Sequence, residues 1–459
     1  MTDVVQDLKS FLGETGVLEG ERAKEASHSN WSRLGVPYAV LRPSSTEDVA
    51  RILALCCAAS QPIVPWGGKT GLVEGANANG ALAISLERMN RIEDIDAAGG
   101  TMTVQAGCIL QNIQEAADAC GLFFPLDLGA RGTATIGGNI STNAGGNRVI
   151  RYGMTREMVL GLEAVLPNGT VLSSLNRLLK NNAGYDLKQL FIGTEGTLGV
   201  VTRAVLRLRA KPGSTAVALA AVDSFAALPR LLRHVERGLS GGLSAFEVMW
   251  EDFYRLVTTP PAKGRPPIGY GHPYYVLIEQ LGSEEASDVA LFERVLGAAL
   301  DEAIIADAVI AKSQAERSAI WSLRDDVAQC MRNAPIFTFD VSLPIVEMEA
   351  YVADVRSRLF GRWGDKTSLM VFGHLGDCNL HLITGVGDGR PEARHTVENI
   401  IYGALDGRAG SVSAEHGIGL EKRRYLALSR SEPEIALMRQ LKQALDPRGI
   451  LNPGKVFEL

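Results

Sequence analysis

One stretch constrains this chain more than any other: Leu126 to Gly153, LDLGARGTATIGGNISTNAGGNRVIRYG. Gly129, Gly132, Gly137, Gly138, Gly145, Gly146 and Gly153 punctuate it, and no charge falls between Arg131 and Arg148. Between the glycines sit Thr133, Thr135, Asn139, Ser141, Thr142 and Asn143. Glycine permits positive φ and close backbone approach. Short hydroxyl and amide side chains beside exposed N–H groups suit the oxygens and ring nitrogens of a large ligand. A structureless loop of this length inside a compact domain is uncommon unless it is functional.

The chain around it has 459 residues, enough for two or three domains. It is 46% hydrophobic and 21% charged, a globular composition. The net charge of −6 argues against nucleic acid as a partner. No apolar run is long enough to span a bilayer, and MTDVVQDLKSFLGETG lacks the order of a signal peptide, so a soluble cytoplasmic protein is expected. The six cysteines form no CxxC and no zinc-ribbon spacing, so reduced thiols are expected. They show no haem or iron–sulfur pattern either.

Periodicity places strands at YAVLRP and PIVPW, a helix after the Ser45 cap, and three strands across ALAISLERMNRIEDIDAAGGTMTVQAG. PIVPW runs into Gly67-Gly68-Lys69-Thr70-Gly71-Leu72, which fits neither GxxxxGK[ST] nor GxGxxG but clusters backbone N–H groups that suit an anion. The alternative is a tight turn. Pro167-Asn168-Gly169 turns a hairpin, and Lys211-Pro212-Gly213 marks a domain boundary. Beyond it, strands alternate with helices in an α+β pattern that suggests helices on one face of a sheet. SQAERSAIWSLRDDVAQCMRN reads as one helix.

Of the seven histidines, His374 and His381 flank Gly376-Asp377, and His416 follows Glu415 in AEHGIG. A hairpin at Gly376-Asp377 turns both imidazoles to one side, because side chains alternate along strands. Two histidines and a glutamate make a zinc-type donor set with an open position, although HxxxxxxH is not diagnostic by itself. Cys378, between the histidines, is either a thiolate donor or a small turn residue.

PWGGKTGL, PLDLGARGTATIGGNISTNAGGNRVIRYG, GTEGTLGVVT, FGHLGDCNLH, EHGIG and LNPGK occur in that order. In this the chain resembles the flavin-dependent D-2-hydroxyacid dehydrogenases, the D-lactate, D-2-hydroxyglutarate and glycolate dehydrogenases of the vanillyl-alcohol-oxidase/p-cresol-methylhydroxylase superfamily. The resemblance spans nearly the whole chain. It implies an α+β fold: a two-subdomain FAD-binding domain (1–212), a cap or substrate domain with an antiparallel sheet (213–410), and a C-terminal segment returning to the flavin domain (411–459).

By the same resemblance Gly67, Gly68, Thr70, Gly71 and Leu72 wrap the pyrophosphate, and Thr133, Gly137, Gly138, Ser141, Asn143, Gly145 and Gly146 line the flavin. Pro65, Leu128, Tyr152 and Glu195 belong to the same cofactor site, with Asn452 near the isoalloxazine. No histidine lies between His28 and His234, so non-covalent FAD is expected. Lys69 departs from the family's commoner GGNTGL and either adds charge near the phosphates or points to solvent. The resemblance assigns zinc or manganese to His374, His381 and Glu415, makes His416 the general base, and sets Asn379 against the substrate carboxylate.

Arg324 stands where relatives hold a carboxylate, but Ala328 and Thr338 replace the threonine and lysine expected of a 2-hydroxyglutarate enzyme. A small-molecule monocarboxylic D-2-hydroxy acid, D-lactate or a larger apolar analogue, is therefore expected, with D-2-hydroxyglutarate as the alternative. A non-catalytic flavin subunit of a glycolate-oxidase-like complex and a non-redox transferase resembling the ether-lipid synthases are the competing classes. A homodimer is compatible with all of these readings.

Overall fold

The computed structural model describes residues 2–459. The chain forms two compact units. The first comprises the residues up to Gly146, Gly153–Lys211 and Glu415–Leu459; the second comprises Asn147–Tyr152 and Pro212–Ala414.

The first unit holds two main sheets. In one, the strand Leu82–Ser85 lies between Ala39–Leu41 and Ile63–Trp66, parallel to both, and Val17–Glu19 adds antiparallel at the edge. Ser45 caps the helix Thr46–Ala58 that crosses between two of these strands, its hydroxyl accepting from the Asp48 N–H at 3.1 Å. The other sheet is antiparallel, in the order Ile92–Asp96, Thr101–Gln105, Val200–Arg207, Val159–Val165, Val171–Ser174. The C-terminal segment joins the first sheet: the Ile63 N–H donates to the Ile450 carbonyl and the Asn452 N–H to the Ile63 carbonyl, both at 2.8 Å. The last residues thereby brace the strand that feeds the Gly67–Leu72 turn.

The second unit is built on a seven-stranded antiparallel sheet. Its order is Asp307–Ile310, Ser214–Val222, Tyr274–Gly282, Leu243–Trp250, Ser368–His374, Asn379–Gly385, Ile336–Ser342. Val217, Leu219, Ala221, Met249, Tyr275 and Leu277 pack with Phe253, Tyr254 and Val257 of the helix Glu251–Thr258 and with Ile320 and Leu323 of Gln314–Asp325. The alternate residues of these strands are buried too, and the helices Ala227–Gly238 and Glu285–Asp301 pack against the same sheet. Helices thus cover both faces rather than the single face that the sequence pattern suggested.

Other local readings change as well. Glu251–Thr258 and Asp307–Ile310 are too short to stand out by period. The long helix through Asn333 ends at Asp325, with a 3₁₀ turn from Val327 to Asn333. Asn147–Tyr152, which the sequence reading kept with the flavin domain, belongs to the second unit. Its Arg148 Nε donates to Glu279 at 3.0 Å and its Arg151 Nη1 to the Leu281 carbonyl at 2.5 Å. Among the described residues no helix is long and apolar enough to cross a membrane.

Candidate functional site

A cavity of about 340 Å³ lies in the first unit. Its walls carry Pro65, Gly67, Gly68, Thr70, Gly71, Leu72, Leu128, Gly137, Gly138, Ser141, Gly145 and Glu195 from the anticipated cofactor set, together with Glu415 and His416. Thr133, Asn143, Gly146, Tyr152 and Asn452 do not line it. Tyr152 lies in the second unit, and Asn143 ends the helix Ile136–Thr142 at φ +50°, its Oδ1 accepting from the Arg156 N–H. Trp31, Ser32, Thr135 and Asn139 line the cavity without having been assigned to it. Thr135 and Asn139 sit inside the glycine stretch, whereas Trp31 and Ser32 carry no motif that would have flagged them.

The glycines act mainly on one another's loops. A Cβ on Gly68 would fall 2.1 Å from the Thr133 carbonyl oxygen, and one on Gly137 2.7 Å from the Ala106 Cβ. The two glycine-rich segments therefore meet backbone to backbone. A Cβ on Gly71 would meet nothing within 4 Å. Lys69 also lines the cavity, and its Nζ donates to the Ala26 carbonyl at 2.8 Å, capping the helix Glu21–Ala26.

The polar chemistry of the wall fits a large heteroatom-rich cofactor. Thr135 Oγ1 and Asn139 Oδ1 are buried on it without a hydrogen-bond partner, as is the Oδ1 of the neighbouring Asn452. Such groups are costly to bury unless a ligand completes them. Glu195 does different work. Its buried carboxylate accepts from the Ile418 N–H at 2.6 Å and the Gly419 N–H at 2.8 Å, and its carbonyl from Asn452 Nδ2 at 2.7 Å. Burial raises its pKa, and the two N–H groups only partly offset that. Glu195 thus pins the segment that follows His416 to the cavity.

The second unit brings the hairpin histidines together. Phe372 pairs with His381 across the hairpin, so His374, two residues on, projects from the same face as His381. The imidazole centroids are 5.2 Å apart with their planes at 82°. Cys378 takes the left-handed position of the turn at φ +70°, and burial raises its thiol pKa. Asp340, opposite His381 on the next strand, accepts from the Ala414 N–H at 2.9 Å. The residue bonded to Ala414 is Glu415, and His374, His381 and Glu415 offer ligand atoms within 4.8 Å of one another. Two imidazoles and a carboxylate at such spacing match a three-ligand site with an open position. Asn379 is 3% exposed, and neither its Oδ1 nor its Nδ2 has a partner.

Behind His374 stands a residue that no motif indicated. Glu247 is fully buried directly across the sheet from His374, its Oε1 2.6 Å from Nδ1. Its Oε2 accepts from Arg324 Nε at 2.8 Å, and Arg324 Nη2 lies 3.3 Å from His374 Nε2. Burial alone would raise the Glu247 pKa; the charges and hydrogen bonds of His374 and Arg324 outweigh it and hold the carboxyl below its usual range. Arg324 is 5% exposed, with its Nε and Nη2 engaged by Glu247 and His374. Ala328 and Thr338 are both exposed.

The fold and cavity define a flavoprotein of the p-cresol methylhydroxylase architecture. Solved p-cresol methylhydroxylase with substrate bound superposes with a TM-score of 0.78 at 17% identity, covering 100% of this chain and 97% of that one. An alkyldihydroxyacetonephosphate synthase gives 0.76 at 18% identity, covering 99% and 86%. The FAD binding domain matches residues 37–174, and the C-terminal domain of FAD linked oxidases matches residues 211–456. A mitochondrial D-2-hydroxyglutarate dehydrogenase of Arabidopsis thaliana is 39% identical over 457 residues, covering 99% of this chain and 81% of the relative. A D-2-hydroxyglutarate dehydrogenase of Xanthomonas citri pv. viticola is 40% identical over 437 residues, covering 94% and 91%. A Schizosaccharomyces pombe protein named as a mitochondrial D-lactate dehydrogenase is 36% identical over 470 residues, covering 98% and 89%. The chain belongs to the flavin-dependent D-2-hydroxyacid dehydrogenase family of FAD-linked oxidases, and it is an FAD-dependent dehydrogenase.

Proposed function

We propose that the chain oxidises a D-2-hydroxy acid to the 2-oxo acid with a divalent metal, zinc or manganese, held by His374, His381 and Glu415. The approach of those three donors to within 4.8 Å carries the reading. Bound non-covalently, FAD supplies the two-electron acceptor for the hydride leaving Cα. The three ligands would hold a metal that, when bound, would lower the pKa of the substrate hydroxyl. His416, beside Glu415 and on the cavity wall, takes the hydroxyl proton. Asn379, buried with both amide atoms unpartnered, receives a substrate carboxylate oxygen on Nδ2. The electrons then pass to a separate protein or quinone, since the cysteines form no cluster-binding pattern.

The substrate's far end is apolar or short in this reading. A second carboxylate in a closed site needs paired donors. Arg324 is already engaged by Glu247 and His374, and Ala328 contributes no donor. D-2-hydroxyglutarate is the second reading, favoured by the names of the Arabidopsis and Xanthomonas relatives. Anaerobic flavin bleaching with D- and L-lactate, D-2-hydroxybutyrate, D-phenyllactate, D-malate and D-2-hydroxyglutarate decides between them. The expected order puts D-lactate or D-phenyllactate first in kcat/KM. A clear preference for either dicarboxylate overturns the monocarboxylate assignment, and bleaching by none of them overturns the 2-hydroxy acid reading. Full activity after prolonged chelation overturns the metal.

A further inference from the structure

We propose that Glu247 is the positioning residue of this centre: it holds His374 as the Nδ1–H tautomer, leaving Nε2 as the metal donor, and neutralises Arg324 beside it. The metal half of this statement rests on the reading above, whereas the tautomer half rests on geometry alone.

Two contacts on opposite sides of one ring require the same tautomer. An ionised carboxylate only accepts, so the 2.6 Å contact from Glu247 Oε1 places a proton on His374 Nδ1. A guanidinium only donates, so Arg324 Nη2 at 3.3 Å requires a lone pair on Nε2, the one a bound metal would take in place of Arg324. Nδ1 thus faces the buried carboxylate and Nε2 faces the guanidinium paired with it. Carboxylate–histidine pairs of this kind orient a metal ligand and raise its basicity.

The arrangement is fixed from both directions. Glu247 and His374 are directly paired across neighbouring strands, so the sheet register sets their contact. Arg324 comes from the helix Gln314–Asp325, whose Trp321, one turn earlier, donates Nε1 to the second buried carboxylate, Glu279, at 3.1 Å. The two anchors key this helix to the sheet. The Arg324 guanidinium also lies over the Phe372 ring, 4.7 Å from its centroid. Nothing in this geometry needs a substrate to occupy Arg324.

The first test needs no metal. In metal-stripped, flavin-loaded protein labelled with ¹⁵N-histidine, and assigned against H374Q, His374 should show a pyrrole-type Nδ1 and a pyridine-type Nε2. A protonated Nε2 overturns the proposal and leaves the metal reading standing. The second test is zinc affinity by chelator competition in the same preparation. E247Q should bind zinc roughly 10–100-fold more weakly than the parent. Because E247Q also strands Arg324, the double variant E247Q/R324M separates the two effects. It should recover the parental urea midpoint while zinc binding stays at least about tenfold weaker. If both variants bind zinc as tightly as the parent, Glu247 does not position the ligand. If the parent takes up neither zinc nor manganese, the metal reading itself falls, together with the metal half of this proposal.

Discussion

Lys442→Met should destabilise the first unit severely. Lys442 is 3% exposed, and its Nζ donates to the Thr197 carbonyl at 2.8 Å, to Asp446 Oδ2 at 2.6 Å and to the Leu451 carbonyl at 2.6 Å. Asp446, itself 2% exposed, accepts from the Ile450 and Leu451 N–H groups at 3.1 and 2.8 Å. Methionine keeps the side-chain bulk but leaves the carboxylate buried without its cation. Removing one partner of a buried pair costs about 3–5 kcal/mol. For a unit of this size, about 2–4 °C is lost per kcal/mol, so the melting temperature should fall by roughly 6–20 °C. The damage should reach the cofactor, because Ile450 and Asn452 pair with Ile63 on the strand entering the Gly67–Leu72 turn. Thermal melting of the flavin-loaded protein, followed by flavin release, reads both effects. Lys442→Met with Asp446→Asn removes both charges while keeping an acceptor for one of the two N–H groups, and should regain about half of the loss. A single variant within about 1 kcal/mol of the parent, or a double variant less stable than the single, would refute the assignment of the cost to a stranded charge.

Other expectations follow from the same geometry. His416→Ala should retain FAD and metal while slowing anaerobic flavin reduction by roughly 10²–10⁴-fold; reduction at the parental rate would place the base elsewhere. Acid precipitation should release all the flavin into the supernatant, and yellow pellets would contradict non-covalent binding. Lys455 is 6% exposed, and burial pushes its pKa from 10.5 down to about 8. Between those values the unfolded chain binds more protons than the folded one, so Lys455 makes stability rise with pH there, by on the order of 3 kcal/mol. Lys455→Met should abolish that rise when unfolding free energies at about pH 7.5 and pH 10 are compared, and an undiminished rise would assign it to another group.

Local chemistry was legible along the chain wherever period and spacing carry it. The alternation of side chains on a hairpin was enough to predict that His374 and His381 share a face, and they do. The cap at Ser45, the hairpin at Asn168-Gly169 and the glycine-rich cavity segments are likewise short-range features that a sequence displays directly. Tertiary structure decided the rest, because antiparallel pairing joins strands far apart in the chain and leaves no local mark. Glu247 meets His374 across 127 residues, and Arg324 meets Glu247 across 77. No window of sequence contains either pair, so the partners of Arg324 could not be read from the chain. The same cause placed Asn147–Tyr152 in the second unit: Arg148 and Arg151 bond to strand residues 130 positions and more away. The residue types at the site were fixed by local sequence, but their partners, and with them their protonation and charge, were set by which strands the sheet places side by side.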